Sequence, residues 1–111
     1  MPGYVPSRGD VVIIDFDPQA GHEQAKRRPA LVLSTVSFNA KTGFALVCPI
    51  THRIRNHSFE VLILPGLPVD GVILTQQVKS LDWRARNAVF KCRMPDLQVR
   101  QAAGKILAIF Q

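Results

Sequence analysis

"PALVLSTVSFNAKTGFALVCPIT", residues 29–51, holds two apolar runs separated by a short polar stretch that ends in glycine. Pro29–Ser34 and Phe44–Thr51 have strand length and are rich in Leu and Val. Between them, Ser37–Gly43 reads as a short helical turn closed by Gly43. If the two strands are neighbours, an antiparallel pair brings the start of the first and the end of the second to one end of a sheet. Arg28 enters the first strand and Thr51 leaves the second, so that end would carry both. Lys26, Arg27 and Arg28 stand directly before Pro29, which puts the densest positive charge of the chain where a core strand begins.

Working outward, "GDVVIIDFDP" (residues 9–18) predicts a strand over Val11–Phe16 that is stopped by Asp17-Pro18. Ile14 and Phe16 share one face, and Asp15 and Asp17 the other. Gln19–Arg28 lacks apolar periodicity and reads as a polar loop, with Pro29 confined to the first position of its strand or to an edge. Downstream, "THRIRNHS" (51–58) is a second polar, basic loop, and "FEVLIL" (59–64) a fourth strand broken by Pro65, Gly66 and Pro68. Asp70-Gly71 forms a turn, "VILTQQV" (72–78) a fifth strand, "SLDWRAR" (80–86) one turn of helix, and "AVFKC" (88–92) a last strand. From Pro95 the period becomes helical: Val99, Ala102, Ala103, Ile106 and Phe110 form one stripe, with Gly104 as the weak point. Six short strands and one long helix predict a mainly β, α+β fold. It would be a small curled antiparallel sheet or half-barrel, with the amphipathic helix packed at one end.

The 111 residues suit a single domain, 1–111, and the 47% hydrophobic content suits a globular core. A net charge of +6 favours a polyanionic partner, nucleic acid or an acidic protein. Cys48 and Cys92 form no Cys-x-x-Cys pair and read as reduced core thiols. No signal peptide opens the chain and no apolar run approaches the ~20 residues of a membrane span, so a cytoplasmic protein with no membrane association is expected. His, Cys, Asp and Glu show no metal-ligand spacing, and no glycine-rich phosphate loop is present, so neither metal nor cofactor is expected. Trp83, between Asp82 and Arg84, suits packing better than base stacking.

A guanidinium beside a hydroxyl is a receptor for phosphate, the fork giving two parallel hydrogen bonds and the hydroxyl a third. The same residues would also suit a solvated loop and a strand-end hydroxyl, and spacing alone leaves both open. Three blocks decide between them: "GDVVIIDFDPQAGHEQAKRRPALVLS", "FALVCPIT" and "GVILTQQVKSLDWRAR", in that order along the chain. Together they resemble the MazF/PemK family of toxin–antitoxin ribonucleases over roughly residues 8 to 110.

The resemblance implies a small SH3-like or CcdB-like antiparallel barrel that dimerises. It also implies a metal-independent endoribonuclease toxin, selective for short sequences in single-stranded RNA and neutralised by an acidic antitoxin. By motif, Arg28 and Thr51 match the family's catalytic pair, and Glu23 an acidic residue that supports it. RNA contacts are then expected from Gln24, Lys26, Arg27, His52, Arg53, Arg55, Gln77, Lys79, Arg84 and Arg86. Without a metal, the RNA's own 2′-hydroxyl is the simplest nucleophile, and it would leave 2′,3′-cyclic phosphate and 5′-hydroxyl ends. Arg28, Glu23 and His52 all remain candidates for proton transfer. Two other functions stay open: a non-catalytic toxin of the same fold acting on a protein such as gyrase, and an RNA-binding module without turnover. Gln76, where relatives often carry aspartate, the basic Lys26-Arg27 and the variable "THRIRNHS" depart from the family pattern, so the cut sequence is not implied.

Overall fold

The computed structural model describes residues 3–16 and 26–111. Glu23, Gln24 and His22, and the polar loop's residues 19–25, lie outside the described residues. The described chain forms a mainly antiparallel seven-stranded sheet with two helices. In chain order these are β1 (Asp10–Asp15), β2 (Arg27–Val32), α1 (Val36–Thr42), β3 (Phe44–Thr51), β4 (Glu60–Leu62), β5 (Val72–Leu74), β6 (Lys79–Asp82), β7 (Val89–Arg93) and α2 (Asp96–Ile109). The order across the sheet is β4-β5-β3-β2-β1-β7, with β6 also paired to β3. Among the described residues the pairings end at β4 and β7 and do not close into a barrel.

Strand alternation divides the core in two. Val12, Ile14, Phe16, Ala30, Val32, Ala45, Val47, Leu81 and Trp83 pack on one face of the sheet. Val11, Leu31, Leu33, Cys48, Ile50 and Ile73 pack on the other, against Val99 and Ala102 of α2. Each buried Val, Ile or Leu contributes roughly 1.5–3 kcal/mol. α1 takes the predicted place between β2 and β3, closed by Gly43 at φ 76°, where an L side chain would be strained.

Four expectations need correction. β2 starts at Arg27, and Pro29 is its third residue in a strand flanked on both sides, neither first nor on an edge. Leu33 N–H donates to Leu46 O of β3, so by alternation the N–H that Pro29 lacks would also face β3. The paired β2–β3 register reaches only Ala30↔Pro49, so no ladder bond is lost there. "VILTQQV" is strand only over Val72–Leu74, after which Thr75–Gln77 make a 3₁₀ turn. In "SLDWRAR", Ser80–Asp82 belong to β6, and the turn starts at Trp83, where Arg86 N–H donates to Asp82 O at 3.0 Å. This gives seven strands rather than six. Finally, Phe110 lies beyond α2 and is 83% exposed, so the buried stripe rests on Val99 and Ala102 with Ile106 partly covered.

β3 serves three partners because Pro49 divides it. Phe44–Val47 pair with β6, and Ile50 and Thr51 with β5, with Pro49 between the two ladders. The end of β3 that carries Thr51 is therefore held between β2 and β5.

Candidate active site

β2 and β3 run antiparallel with Val32↔Val47, Leu31↔Cys48 and Ala30↔Pro49. Arg28 and Thr51 lie two residues beyond the last of these pairs, at the same end of the two strands. Alternation puts Arg28 on the face of Ala30 and Val32, and Thr51 on the face of Ala45 and Val47, which is one and the same face. Lys79 pairs with Val47 and so belongs to that face too, while Gln77 stands just ahead of it at the end of the 3₁₀ turn. The two strands are thus neighbours, with Arg28 and Thr51 at the same end of the sheet.

Thr51 is half-buried, and its Oγ1 accepts the Arg53 N–H at 3.2 Å. That bond, a side-chain-capped turn, leaves the hydroxyl proton available to an external oxygen. The backbone just beyond is held by a close approach. Gly71, at φ +101°, packs so tightly that a Cβ there would meet Thr51 O at 2.0 Å. Only glycine fits both the conformation and the space.

Beside this end of the sheet lies a cleft of about 580 Å³. Ile13, Pro29, Ile50, Leu67, Pro68 and Val69 form its apolar lining, and Lys26, Arg27, Arg28, His52, Asp70 and Lys91 its charged and polar rim. Thr51 adjoins it between two lining residues, Ile50 and His52. His52 Nδ1 is in contact with Asp70 Oδ1. Arg27 belongs to the strand rather than a loop: it pairs with Asp15 across β1–β2, reaching Oδ1 at 3.1 Å, and donates to Asn87 O at 2.8 Å. Hydrogen bonds from Asn87 and then Arg27 hold the Asp15 carboxyl below its ordinary range.

The second basic loop is exposed from His52 to Ser58 and is pinned from beneath. Glu60, with its side chain 3% exposed, accepts the backbone N–H groups of Arg55 and Asn56 at 3.1 and 2.9 Å. Lys105 of α2 donates to Ser58 O. Arg53 and Arg55 therefore project from a fixed backbone. His57 is tied to Gln76 at 3.1 Å and to Glu60 at 3.5 Å, away from the Arg28–Thr51 end. Arg84 stacks on the Trp83 ring at 4.8 Å, and Trp83 Nε1 donates to Asn39 O at 2.9 Å. Trp83 is 4% exposed, so packing accounts for it. Arg86 donates to Asp15 O at 3.2 Å and ties the 83–87 turn to β1.

Asp70, Gly71, Lys91, Glu60 and the Asp15–Asn87 pair were not among the sequence-derived site residues. Asp70-Gly71 was legible only as a turn, and the rest depend on pairings between distant segments. Among the described residues no group of three or more His, Cys, Asp or Glu is placed to hold a metal ion. No described helix is long and apolar enough to cross a membrane.

Known proteins share this sequence pattern and fold. The profile of a family described as the PemK-like, MazF-like toxin of type II toxin–antitoxin systems matches residues 7–110. The endoribonuclease toxin MazF of Escherichia coli K12 is 46% identical over 103 residues, which cover 93% of this chain and 92% of that one. A crystal structure of MazF from Deinococcus radiodurans superposes with a TM-score of 0.93 at 42% identity, covering 97% of this chain and 98% of the other. A MazE–MazF crystal structure from the same organism gives 0.88 at 42% identity over 97% of both chains. A signature that spans nearly the whole chain, on a fold that superposes this closely, settles its membership: the chain belongs to the PemK-like, MazF-like toxins of type II toxin–antitoxin systems.

Proposed function

We propose that this MazF-like endoribonuclease toxin cuts single-stranded RNA through Arg28 and Thr51, with the RNA's 2′-hydroxyl as nucleophile. Attack on the adjacent phosphorus breaks the P–O5′ bond and leaves 2′,3′-cyclic phosphate and 5′-hydroxyl ends. The dianionic transition state needs hydrogen-bond donors more than a protein nucleophile. Arg28 supplies two parallel N–H donors and Thr51 its hydroxyl proton, which the Arg53 N–H bond leaves free to point outward. The observation that supports the reading is the antiparallel β2–β3 pairing, whose last pair, Ala30↔Pro49, leaves Arg28 and Thr51 each two residues further on at the same end of the sheet. By the family motif, Glu23 supports the pair. Lys26, Arg27, His52, Arg53, Arg55, Lys79, Arg84 and Arg86, with Gln24 and Gln77, line the path of the RNA.

The MazE–MazF crystal structures of the Deinococcus relative support an antitoxin as partner of this chain, and the net charge of +6 favours an acidic one that competes with RNA for the basic end of the sheet. The chain functions as a homodimer and folds as one toxin domain. Leu107 and Ile109 at the end of α2, Phe110 just beyond it and Leu62 of edge strand β4, all more than half exposed, offer apolar surface for the dimer. A solution mass equal to one 12.3 kDa chain at assay concentration would remove that part.

The test is Arg28→Lys. A point charge lacks the fork, so RNA affinity should largely persist while cleavage falls by roughly 10²–10³-fold, the cost of losing an oxyanion-hole donor. Thr51→Ala should lose cleavage on a normally folded chain. A single 2′-deoxy nucleotide at the cut should bind and resist cutting. Near wild-type cleavage by Arg28→Lys refutes the assignment.

A further inference from the structure

The scheme above leaves the proton of the attacking 2′-hydroxyl without an acceptor, and the cleft contains one. His52 directly follows Thr51 at the end of β3, and Asp70 directly precedes the Gly71 turn into β5. The pairing Ile50↔Ile73 and Thr51↔Val72 holds these two ends side by side. The fit is close enough that Gly71 admits no Cβ against Thr51 O. His52 Nδ1 therefore meets Asp70 Oδ1 by construction of the sheet. An ionised carboxylate only accepts, so Nδ1 carries the ring proton and Nε2 presents its lone pair. Both residues line the cleft that Arg28 lines, where the other charged groups among the described residues are Lys26, Arg27 and Lys91.

We propose that His52 accepts the 2′-hydroxyl proton and that Asp70 is its positioning residue, an inference that rests on the 2′-hydroxyl cleavage proposed above. As the O2′–P bond forms, the proton passes to His52 Nε2. The P–O5′ bond breaks, the 5′-oxygen takes a proton from water, and the imidazolium returns its own to solvent. The two side chains are 88% and 77% exposed, so the pair adds little to stability and either can be replaced without unfolding the chain. RNA seated in the cleft excludes water and strengthens the contact when it is needed.

The experiment is single-turnover cleavage from about pH 5 to about pH 9, on a long RNA and then on an oligonucleotide carrying the mapped cut site. Binding is measured separately on the same oligonucleotide with a 2′-deoxy cut nucleotide. Wild type should show an acid limb of unit slope rising to a plateau. His52→Gln should lose that limb and roughly 10²–10⁴-fold of the plateau rate, the range of general base catalysis, with binding weakened far less than the rate. Asp70→Asn should fall between the two, with the limb displaced, because an amide can donate to Nδ1 and so favour the wrong tautomer. If wild type cuts but His52→Gln keeps the limb and most of the rate, or loses binding in place of rate, the proposal is overturned and the cleavage reading stands. An Asp70→Asn protein with wild-type rate and limb overturns the positioning role. If wild type cuts no RNA, or leaves 5′-phosphate ends, the underlying reading fails instead.

Discussion

Gly71→Ala is the substitution whose effect the geometry defines most closely. A Cβ at this position would stand 2.0 Å from Thr51 O, 2.8 Å from Thr51 C and 2.9 Å from His52 Cα, all backbone atoms of the strand end that carries the hydroxyl. Backbone cannot rotate aside as a side chain does, so the 51–52 segment must retreat by about 1 Å before the carbonyl contact reaches even 3.0 Å. The left-handed φ adds roughly 1–2 kcal/mol for any L residue with a Cβ. With the contact included, we expect a loss of about 2–4 kcal/mol of folding stability. A displacement of about 1 Å at a catalytic group costs on the order of 10²-fold in rate, so cleavage by the folded fraction should fall by about that factor. Gly66→Ala is the matched control, since its φ is +108° but nothing lies within 4 Å of the added Cβ. It should show only the backbone cost and retain cleavage. Urea midpoints and single-turnover cleavage on both variants decide the matter. If the two alanines behave alike in stability and rate, the close approach at Gly71 does not position Thr51.

Three further outcomes follow from the same contacts. Asn87 and Arg27 depress the Asp15 carboxyl from its ordinary 3.8, so its contribution to stability is complete above that value and is lost as the pH falls through the lower native one. Asp15→Asn should flatten the acid limb of urea midpoint against pH, and an unchanged limb would show that the Arg27–Asp15–Asn87 contacts do not persist in solution. Burial pushes the Cys48 thiol up to about 12, whereas Cys92 is only partly buried, so iodoacetamide on the native protein should label Cys92 first by mass spectrometry. Preferential labelling of Cys48 would mean that the core beneath β3 opens readily. Replacing Arg53 and Arg55 together with Gln should reduce the salt dependence of RNA binding by about 1.4 in log–log slope, two phosphates' worth for a single strand. A slope equal to wild type would remove the second loop from the RNA path.

Strands with one face buried were legible because alternation writes their burial into the sequence: Ile14 and Phe16 face one core cluster as their spacing requires. Gly43 closed α1 where a left-handed residue was needed. Arg27 and Arg28 were misread as loop because a proline at a flanked strand's third position looks forbidden, and it is allowed only because the β3 ladder has already ended there. β6 was missed because Ser80–Asp82 carry little apolar signal and owe their extended form to pairing with Phe44–Leu46. Phe110 kept the helical period one residue beyond the last helical one, and period alone cannot say where burial stops. Arg28 and Thr51 could be placed at one end of the sheet from strand order alone. The Asp70 contact with His52 could not, since it depends on how closely the turn before β5 approaches the end of β3.

The central claim, that Arg28 and Thr51 stabilise attack by the RNA's own 2′-hydroxyl, is tested most directly by the ends that cleavage leaves. A long RNA is incubated with the protein in excess chelator, and the fragment termini are identified by sequencing and mass spectrometry. The account predicts cutting in the chelator, with 2′,3′-cyclic phosphate on one fragment and 5′-hydroxyl on the next. Fragments ending in 3′-hydroxyl and 5′-phosphate, or cutting that appears only when Mg²⁺ or Mn²⁺ is restored, would contradict it.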